Sequence, residues 1–278
     1  MRWKQFFTPV QSFTADDAKS FMERMPGDAY TLLDVRQPSE YRESHIPGAK
    51  LIPLADIGER LVELDSGKPT IVYCAIGGRS RVASQMLAGK GFREVYNLSG
   101  GIKAWNSDTA FGSEELGINL FDGSEPPEET LVVAYSLEEG LREFYLEMMR
   151  KVRDENARNL FQKLSEIEVK HQDRIFAQYL EISKKSVSRE EFGKKIVAPA
   201  MEGGLTTEAY LAQYPLDLEV TSEIVSMAMA IEAQALDLYG RASEKAFDEK
   251  SKAVLLQIAD EERQHIKQLG TLFESEGK

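Results

Sequence analysis

Two rhythms of apolar residues predict two domains of different class, an α/β domain with a mainly parallel sheet followed by an all-α four-helix bundle. Up to about Asn106, short β-rich runs (TLLDV, TIVYC, EVYNL) alternate with helical stretches (ADDAKSFMERM, SRVASQMLAGKG), each closed by glycine or proline. Beyond Thr130 strand signals vanish, and apolar residues recur at three and four spacing over four long stretches. Charge divides at the same place. The chain carries a net charge of -12, with 14 basic and 12 acidic residues up to Asn106 against 20 and 34 after it.

The elements follow in order. Residues 1–106 form the α/β domain, because strands alternating with helices pack as a parallel sheet under helices. Residues 107–129, rich in Gly, Ser, paired Pro and acidic side chains, read as a linker or irregular arm. Residues 130–278 form the bundle, with helices over Leu131 to Lys151, Asn156 to Lys184, Leu218 to Ala246 and Asp248 to Phe273. Between the second and third, a stretch containing Pro199, Gly203, Gly204 and Pro215 is long enough to cross the length of the bundle. The acidity of the bundle half argues against a nucleic-acid partner. MRWKQFF is too short and polar for a signal peptide, one cysteine makes no internal disulfide, and no apolar run reaches the ~20 residues of a membrane span. The expectation is a soluble cytoplasmic protein.

Cys74 stands in IVYCAIGGRS, between a strand and a glycine turn that leads into a helix near Ser80. Backbone amides and the positive end of a helix favour an anion there, and the guanidinium of Arg79 adds to them. A buried cysteine at a strand end is the competing reading. LLDVRQPSEYRESHIPGA, CAIGGRS and LSGGIKAW, in that order and spacing, resemble a single rhodanese domain over roughly Phe13 to Asn106. The resemblance implies that Cys74 accepts sulfane sulfur as a persulfide from thiosulfate or persulfide donors and passes it to thiols. It also implies that the amides of Ala75, Ile76, Gly77, Gly78 and Arg79 cradle the persulfide, with Arg79 holding anionic substrate. The loop also resembles that of rhodanese-fold dual-specificity phosphatases, but those have one more residue between cysteine and arginine. Asp34 with Arg36, His45, Gly100, Gly101 and Trp105 read as structural.

His171 and His265 each follow a glutamate by three residues, in EVKH and EERQH, so each pair shares a helix face. Glu138 and Tyr145 stand on the first long helix as Glu232 and Tyr239 stand on the third. At an offset of 94 the whole constellation recurs: Glu138 with Glu232, Tyr145 with Tyr239, Glu168 with Glu262, His171 with His265, and Asp154-Glu155 with Asp248-Glu249. This is an internal duplication of a helical hairpin. It selects Glu138 over Glu139, whose counterpart is Ala233. Solvated acidic faces are the alternative, but the neighbours of Glu138 and Glu232 are more apolar than such a face requires. Four unpaired buried carboxylates would each cost several kcal/mol against a domain stability of ~5–15 kcal/mol, so either cations accompany them or they are not inside.

One glutamate from each of two helices and a Glu-x-x-His from each of the others is the ligand pattern of carboxylate-bridged di-metal bundles. From about Thr130 onward the chain resembles the ferritin-like superfamily, most closely rubrerythrins. The resemblance implies two iron ions held by Glu138, Glu168, His171, Glu232, Glu262 and His265, with manganese or zinc also compatible with the donors. Tyr145 and Tyr239, two turns from their glutamates on the same face, could support ligand carboxylates, and core packing explains them equally well. Rubrerythrins carry a further glutamate where this chain has Ala235, and a four-cysteine iron site that a chain with one cysteine lacks. The combined expectation is a rhodanese sulfurtransferase fused to a di-iron bundle that reacts with O2, peroxide or a similar oxidant, as a homodimer. The sulfur site could feed electrons to the bundle, or the bundle could protect a persulfide. The alternative is a rhodanese joined to a non-catalytic iron-binding or dimerisation bundle.

Overall fold

The computed structural model describes residues 10–106, 108–184, 186–195, 201, 204, 206, 210–211 and 217–276. MRWKQFF and the crossover residues Pro199, Gly203 and Pro215 lie outside them. The chain divides into two compact units, Met1–Glu114 and Glu115–Lys278. Among the described residues no helix is long and apolar enough to cross a membrane.

The first unit is built on five parallel strands, β1 (Gln11–Phe13), β2 (Thr31–Asp34), β3 (Lys50–Leu51), β4 (Thr70–Tyr73) and β5 (Val95–Leu98), in the order β1-β5-β4-β2-β3. The central strand is TIVY, buried at every position. A parallel sheet covered on both faces demands such a continuous apolar run. One face carries a core around Tyr41, Ile71, Tyr73 and Leu98, the other a core around Leu33, Val72, Ala83 and Leu87. Four helices connect the strands: α1 (Ala15–Arg24), α2 (Pro38–Glu43), α3 (Ile57–Arg60) and α4 (Gly78–Gly89). Thr14 closes a capping box with Asp17 at the start of α1, and Gln37 closes one with Glu40 at the start of α2, where Pro38 also pre-sets the first turn. Cys74 follows β4 directly, at the carboxyl ends of the strands, where open α/β sheets bind their ligands.

The second unit has four long helices, α5 (Pro127–Lys151), α6 (Glu155–Ser183), α8 (Thr221–Lys245) and α9 (Glu249–Glu276), with a short α7 (Arg189–Gly193) after α6. The long helices begin and end within a few residues of the stretches the periodicity predicts. Asp154 caps α6 through the Ala157 amide at 2.9 Å, and its duplicate Asp248 accepts from the Ser251 amide at 2.9 Å.

The duplication also includes the segments that lead into each hairpin. Glu219, ahead of α8, accepts from the amides of Arg153 and Asp154 at the α5–α6 turn. At the α8–α9 turn the Phe247 amide donates to Gly123 O at 2.9 Å, and the Ser251 hydroxyl donates to Glu125 O at 2.9 Å. Glu125 and Glu219 are again 94 apart, so each hairpin's lead-in satisfies polar groups at the other's turn. The segment before α5 is further held by Arg241 donating to Leu116 O and Lys245 donating to Phe121 O.

The bundle interior is layered. One hydrophobic cluster takes Leu131 to Leu137 of α5, Ile175 and Tyr179 of α6, Ala235 to Ala242 of α8 and Val254 to Ala259 of α9. A second takes Leu141 to Met148, Ala157 to Leu164, Ile224 to Ile231 and Leu269. Between them in every helix lie the glutamates and histidines picked out by sequence, forming a polar layer across the middle of the unit.

Candidate functional site

The Cys74 sulfur sits at the N-terminus of α4. The Gly77 amide donates to Sγ at 3.1 Å and the Ser80 hydroxyl lies 3.4 Å away, also 2.7 Å from Asn97 Oδ1. Gly77 has φ +93, a left-handed conformation that turns its amide inward and begins the helix. Behind the loop, the Ile102 amide donates to Cys74 O at 2.8 Å and the Lys103 amide to Ala75 O at 3.2 Å, so the carbonyls are drawn away from the sulfur. Gly101 makes that approach possible. A Cβ there would stand 2.1 Å from Cys74 O. Burial pushes the thiol up, but the Ser80 hydroxyl and the amides of Ser80, Ile76 and Gly77 outweigh it and hold the thiol below its ordinary value.

Cys74 is 1% exposed and contributes to the core beside Val72 and Ala83, yet its sulfur is met by polar donors rather than sealed by aliphatic packing alone. Of the loop residues named from sequence, Gly77 contacts the sulfur directly, Ile76 projects into solvent, and Gly78 opens α4. Ser80, which sequence reading treats only as a helix start, is an additional partner of the sulfur. Its place in the first turn after Arg79 was the available signal. Arg79 lies beside the Cys74 sulfur, as the loop spacing predicts, and is paired as well: its guanidinium donates to both oxygens of Glu40 at 2.7 and 2.6 Å, and Glu40, ahead of Cys74, holds it above its ordinary value. That hydrogen-bonded pairing with Arg79 lowers the Glu40 carboxyl to about 2. Beneath the loop, Arg36 donates to Asp34 and to Ser44 O and covers the Tyr73 ring, a buried structural pair. His45 stacks on Tyr41 with centroids 3.7 Å apart, inside the core.

In the bundle, Glu138, Glu168 and His171 form one trio and Glu232, Glu262 and His265 another, with one ligand-capable atom from each residue within 4.8 Å of the others in its trio. All six are buried. His171 Nδ1 is 2.9 Å from Glu168 Oε2 and 3.3 Å from Glu138 Oε2, and His265 Nδ1 is 2.8 Å from Glu262 Oε2 and 3.6 Å from Glu232 Oε2. The two imidazoles stack with centroids 3.8 Å apart and planes 4° from parallel, which brings the duplicated trios face to face.

Burial pushes the carboxyls of Glu168 and Glu262 well above the usual range, and neighbouring carboxylates push them further. Burial opposes a charge on His265, but hydrogen bonds to Glu232 and Glu262 raise it to about 10. One oxygen in each of the four carboxylates is buried without a well-directed hydrogen-bond donor. Buried, unsatisfied carboxylate oxygens beside imidazoles are the donor set of a divalent metal site, and two such ions would balance four carboxylates. Tyr145 and Tyr239 are fully buried in the hydrophobic clusters on either side of the polar layer.

Comparisons with known proteins divide the chain in the same way. A rhodanese-like domain model matches residues 15–108, and a rubrerythrin model matches residues 129–272, just over half the chain. YqhL of Bacillus subtilis is 45% identical over 74 residues, 27% of this chain and 59% of YqhL, so the chain spans less than two thirds of that relative. The thiosulfate sulfurtransferase GlpE of Ectopseudomonas mendocina is 34% identical over 97 residues, 34% of this chain and 89% of GlpE. Among solved structures, a rhodanese-like domain protein of Staphylococcus aureus is 30% identical, covering 37% of this chain and 100% of its own, with a TM-score of 0.34.

Proposed function

The chain belongs to the rubrerythrin family through its C-terminal half and carries a rhodanese domain before it, and on that basis we propose a sulfurtransferase that works through a Cys74 persulfide, joined to a di-iron centre. The observation that supports the sulfur chemistry is the Cys74 sulfur receiving an amide hydrogen bond at a helix N-terminus. There the thiolate is stabilised as a nucleophile without a neighbouring base. Cys74 attacks the outer sulfur of a donor such as thiosulfate, the S–S bond breaks, and sulfite departs with the electron pair. The same amides then hold the anionic terminal sulfur of the persulfide until an acceptor thiolate attacks it, releasing Cys74 as thiolate. No external oxidant is consumed.

Glu138, Glu168 and His171, with Glu232, Glu262 and His265, are the residues that would hold two iron ions, and the donor set also accepts manganese or zinc. Iron bound there supplies the redox chemistry for reaction with O2, peroxide or a similar small oxidant. The chain's own contribution is to hold four carboxylates in a dry layer between two apolar clusters, and to keep the imidazoles parallel. Tyr145 and Tyr239, packed beside the layer, restrict the volume around the carboxylates.

The test is ferrous loading without oxygen, followed by oxidant, with an optical spectrum and iron analysis of the wild type and His171→Ala. Two irons per chain and an oxo-bridged iron spectrum in the wild type, both lost in the variant, are expected. A bundle that takes up no metal overturns the di-iron reading. Incubation with thiosulfate should add one sulfur to Cys74 by mass, and its absence with every donor tried overturns the sulfurtransferase reading.

A further inference from the structure

The guanidinium that the loop motif places near the sulfur interacts with Cys74, but its charge is balanced first by Glu40. Arg79 and Glu40 meet fork to fork, with both terminal guanidinium nitrogens and both carboxylate oxygens engaged. Glu40 is also tied from behind. As the third residue of α2 it accepts the Gln37 amide at 3.0 Å and closes that helix's capping box. The carboxylate therefore cannot follow Arg79 toward a ligand without uncapping α2. The pair is about one-third exposed, so it is accessible to substrate yet not fully hydrated.

Among the described residues, the neighbouring cations do not replace it. Arg36 is consumed by Asp34 in the core. Arg81 in the first turn of α4 and Lys103 behind the loop are exposed, where water and salt screen them. The prominent side chain of the loop is instead apolar, with Ile76 69% exposed.

We propose that Glu40 is a positioning residue which, by holding Arg79 neutralised, makes a thiol persulfide rather than thiosulfate the preferred sulfur donor of Cys74. The proposal rests on the sulfurtransferase reading above and names its substrate class. Thiosulfate arrives with two negative charges and expels sulfite, and both stages call for a free cation at the loop. A persulfide, RS–SH, brings no more than one charge at its reacting sulfurs. Cys74 thiolate attacks its outer sulfur, the S–S bond breaks with its electron pair leaving on RS as a thiolate, and Cys74 retains the outer sulfur and its proton as Cys–S–SH. Atoms and electrons balance without a further reagent. Ile76 offers apolar contact to the body of the thiol carrier.

The experiment uses the full chain, single-turnover sulfur loading of Cys74 read by mass, and two donors, thiosulfate and cysteine persulfide. Glu40→Gln keeps an oxygen for the Gln37 amide and so keeps the capping box, while removing the charge that engages Arg79. The wild type is expected to favour the persulfide. Glu40→Gln should raise kcat/KM for thiosulfate about tenfold, through both KM and kcat because the cation serves arrival and departure alike, and change the persulfide value by less than about twofold. An unchanged donor ratio, or an equal fall for both donors, overturns the role of Glu40. A wild type that prefers thiosulfate overturns the proposal with no variant needed. Sulfur reaching Cys74 from neither donor overturns the sulfurtransferase reading itself, and the proposal with it.

Discussion

The thiol loop and the carboxylate layer both hold negative charge away from water, and they do so by opposite means. Around Cys74 the stabilising groups are chiefly backbone amides and one hydroxyl, neutral dipoles fixed by the fold before any ligand arrives. In the bundle the charged groups are four side-chain carboxylates, and among the described residues two imidazoles lie with them. Dipoles need no counter-ion, whereas buried carboxylates need protons or metal. The first site should therefore be indifferent to metal and the second should depend on it for stability.

The largest expected effect separates the sites outright. Cys74→Ser should abolish sulfur loading, a loss of at least ~1000-fold in rate, because the hydroxyl is a far weaker nucleophile. Iron content and the iron spectrum should be unchanged, and a concurrent loss of iron would break the separation.

Next comes a sign reversal within the bundle. Burial favours the neutral form of Glu168, and Glu168→Gln imitates that form permanently. Metal-free protein should unfold at a denaturant midpoint corresponding to ~1–3 kcal/mol greater stability, while metal affinity falls more than ~100-fold. Urea melts with chelator and metal titrations read the two effects separately. A metal-free variant less stable than wild type would show that the carboxylate is satisfied without metal.

Gly101→Ala sharpens the comparison from the other side. The added Cβ collides with the Cys74 carbonyl, and the residue sits at φ +59. A cost of ~2–4 kcal/mol in unfolding of the first unit and a parallel loss of sulfur loading are expected, with no change at the metal centre. Normal loading would mean that the Gly101 contact does not shape the amide cup.

The smallest effect is in pH. Glu40 is lowered to about 2 from an ordinary 4.5, so the stability its bridge contributes is complete above pH 4.5 and is lost as pH falls toward 2. The pair is a third exposed, which limits the contribution to under about 1 kcal/mol. The difference in urea stability between wild type and Glu40→Gln should be flat above pH 5 and shrink below it. A difference that grows on acidification would contradict the bridge.

Much of the carboxylate layer was legible in sequence because a duplication is arithmetic along the chain. The offset of 94 pairs the four glutamates and two histidines of the layer, and helical period places each on an inward face. The reciprocal docking of Glu125 and Glu219 was not legible, since each lead-in meets the turn of the other hairpin and nothing local says which turn it will reach. For the loop, the glycines and the helix start announced a cup of amides around Cys74. Ser80 as a sulfur partner, and its link to Asn97 on β5, depended on which strand lies beside β4. Glu40 shows the limit most plainly. Its spacing from Gln37 reads as a helix cap, which it is, while its grip on Arg79 spans 39 positions.

What the sequence by itself determined is the class of each half and the identity of its scarce chemical groups, because periodicity, turn residues and an internal repeat are properties of neighbours along the chain. What only the tertiary structure decided is which charges meet: the stacking of His171 on His265, the division of the bundle core into two apolar clusters around one polar layer, and the neutralisation of Arg79. Those outcomes depend on strand order and helix packing. Electrostatic and hydrogen-bond energies act over a few ångströms of space, whatever the separation in sequence.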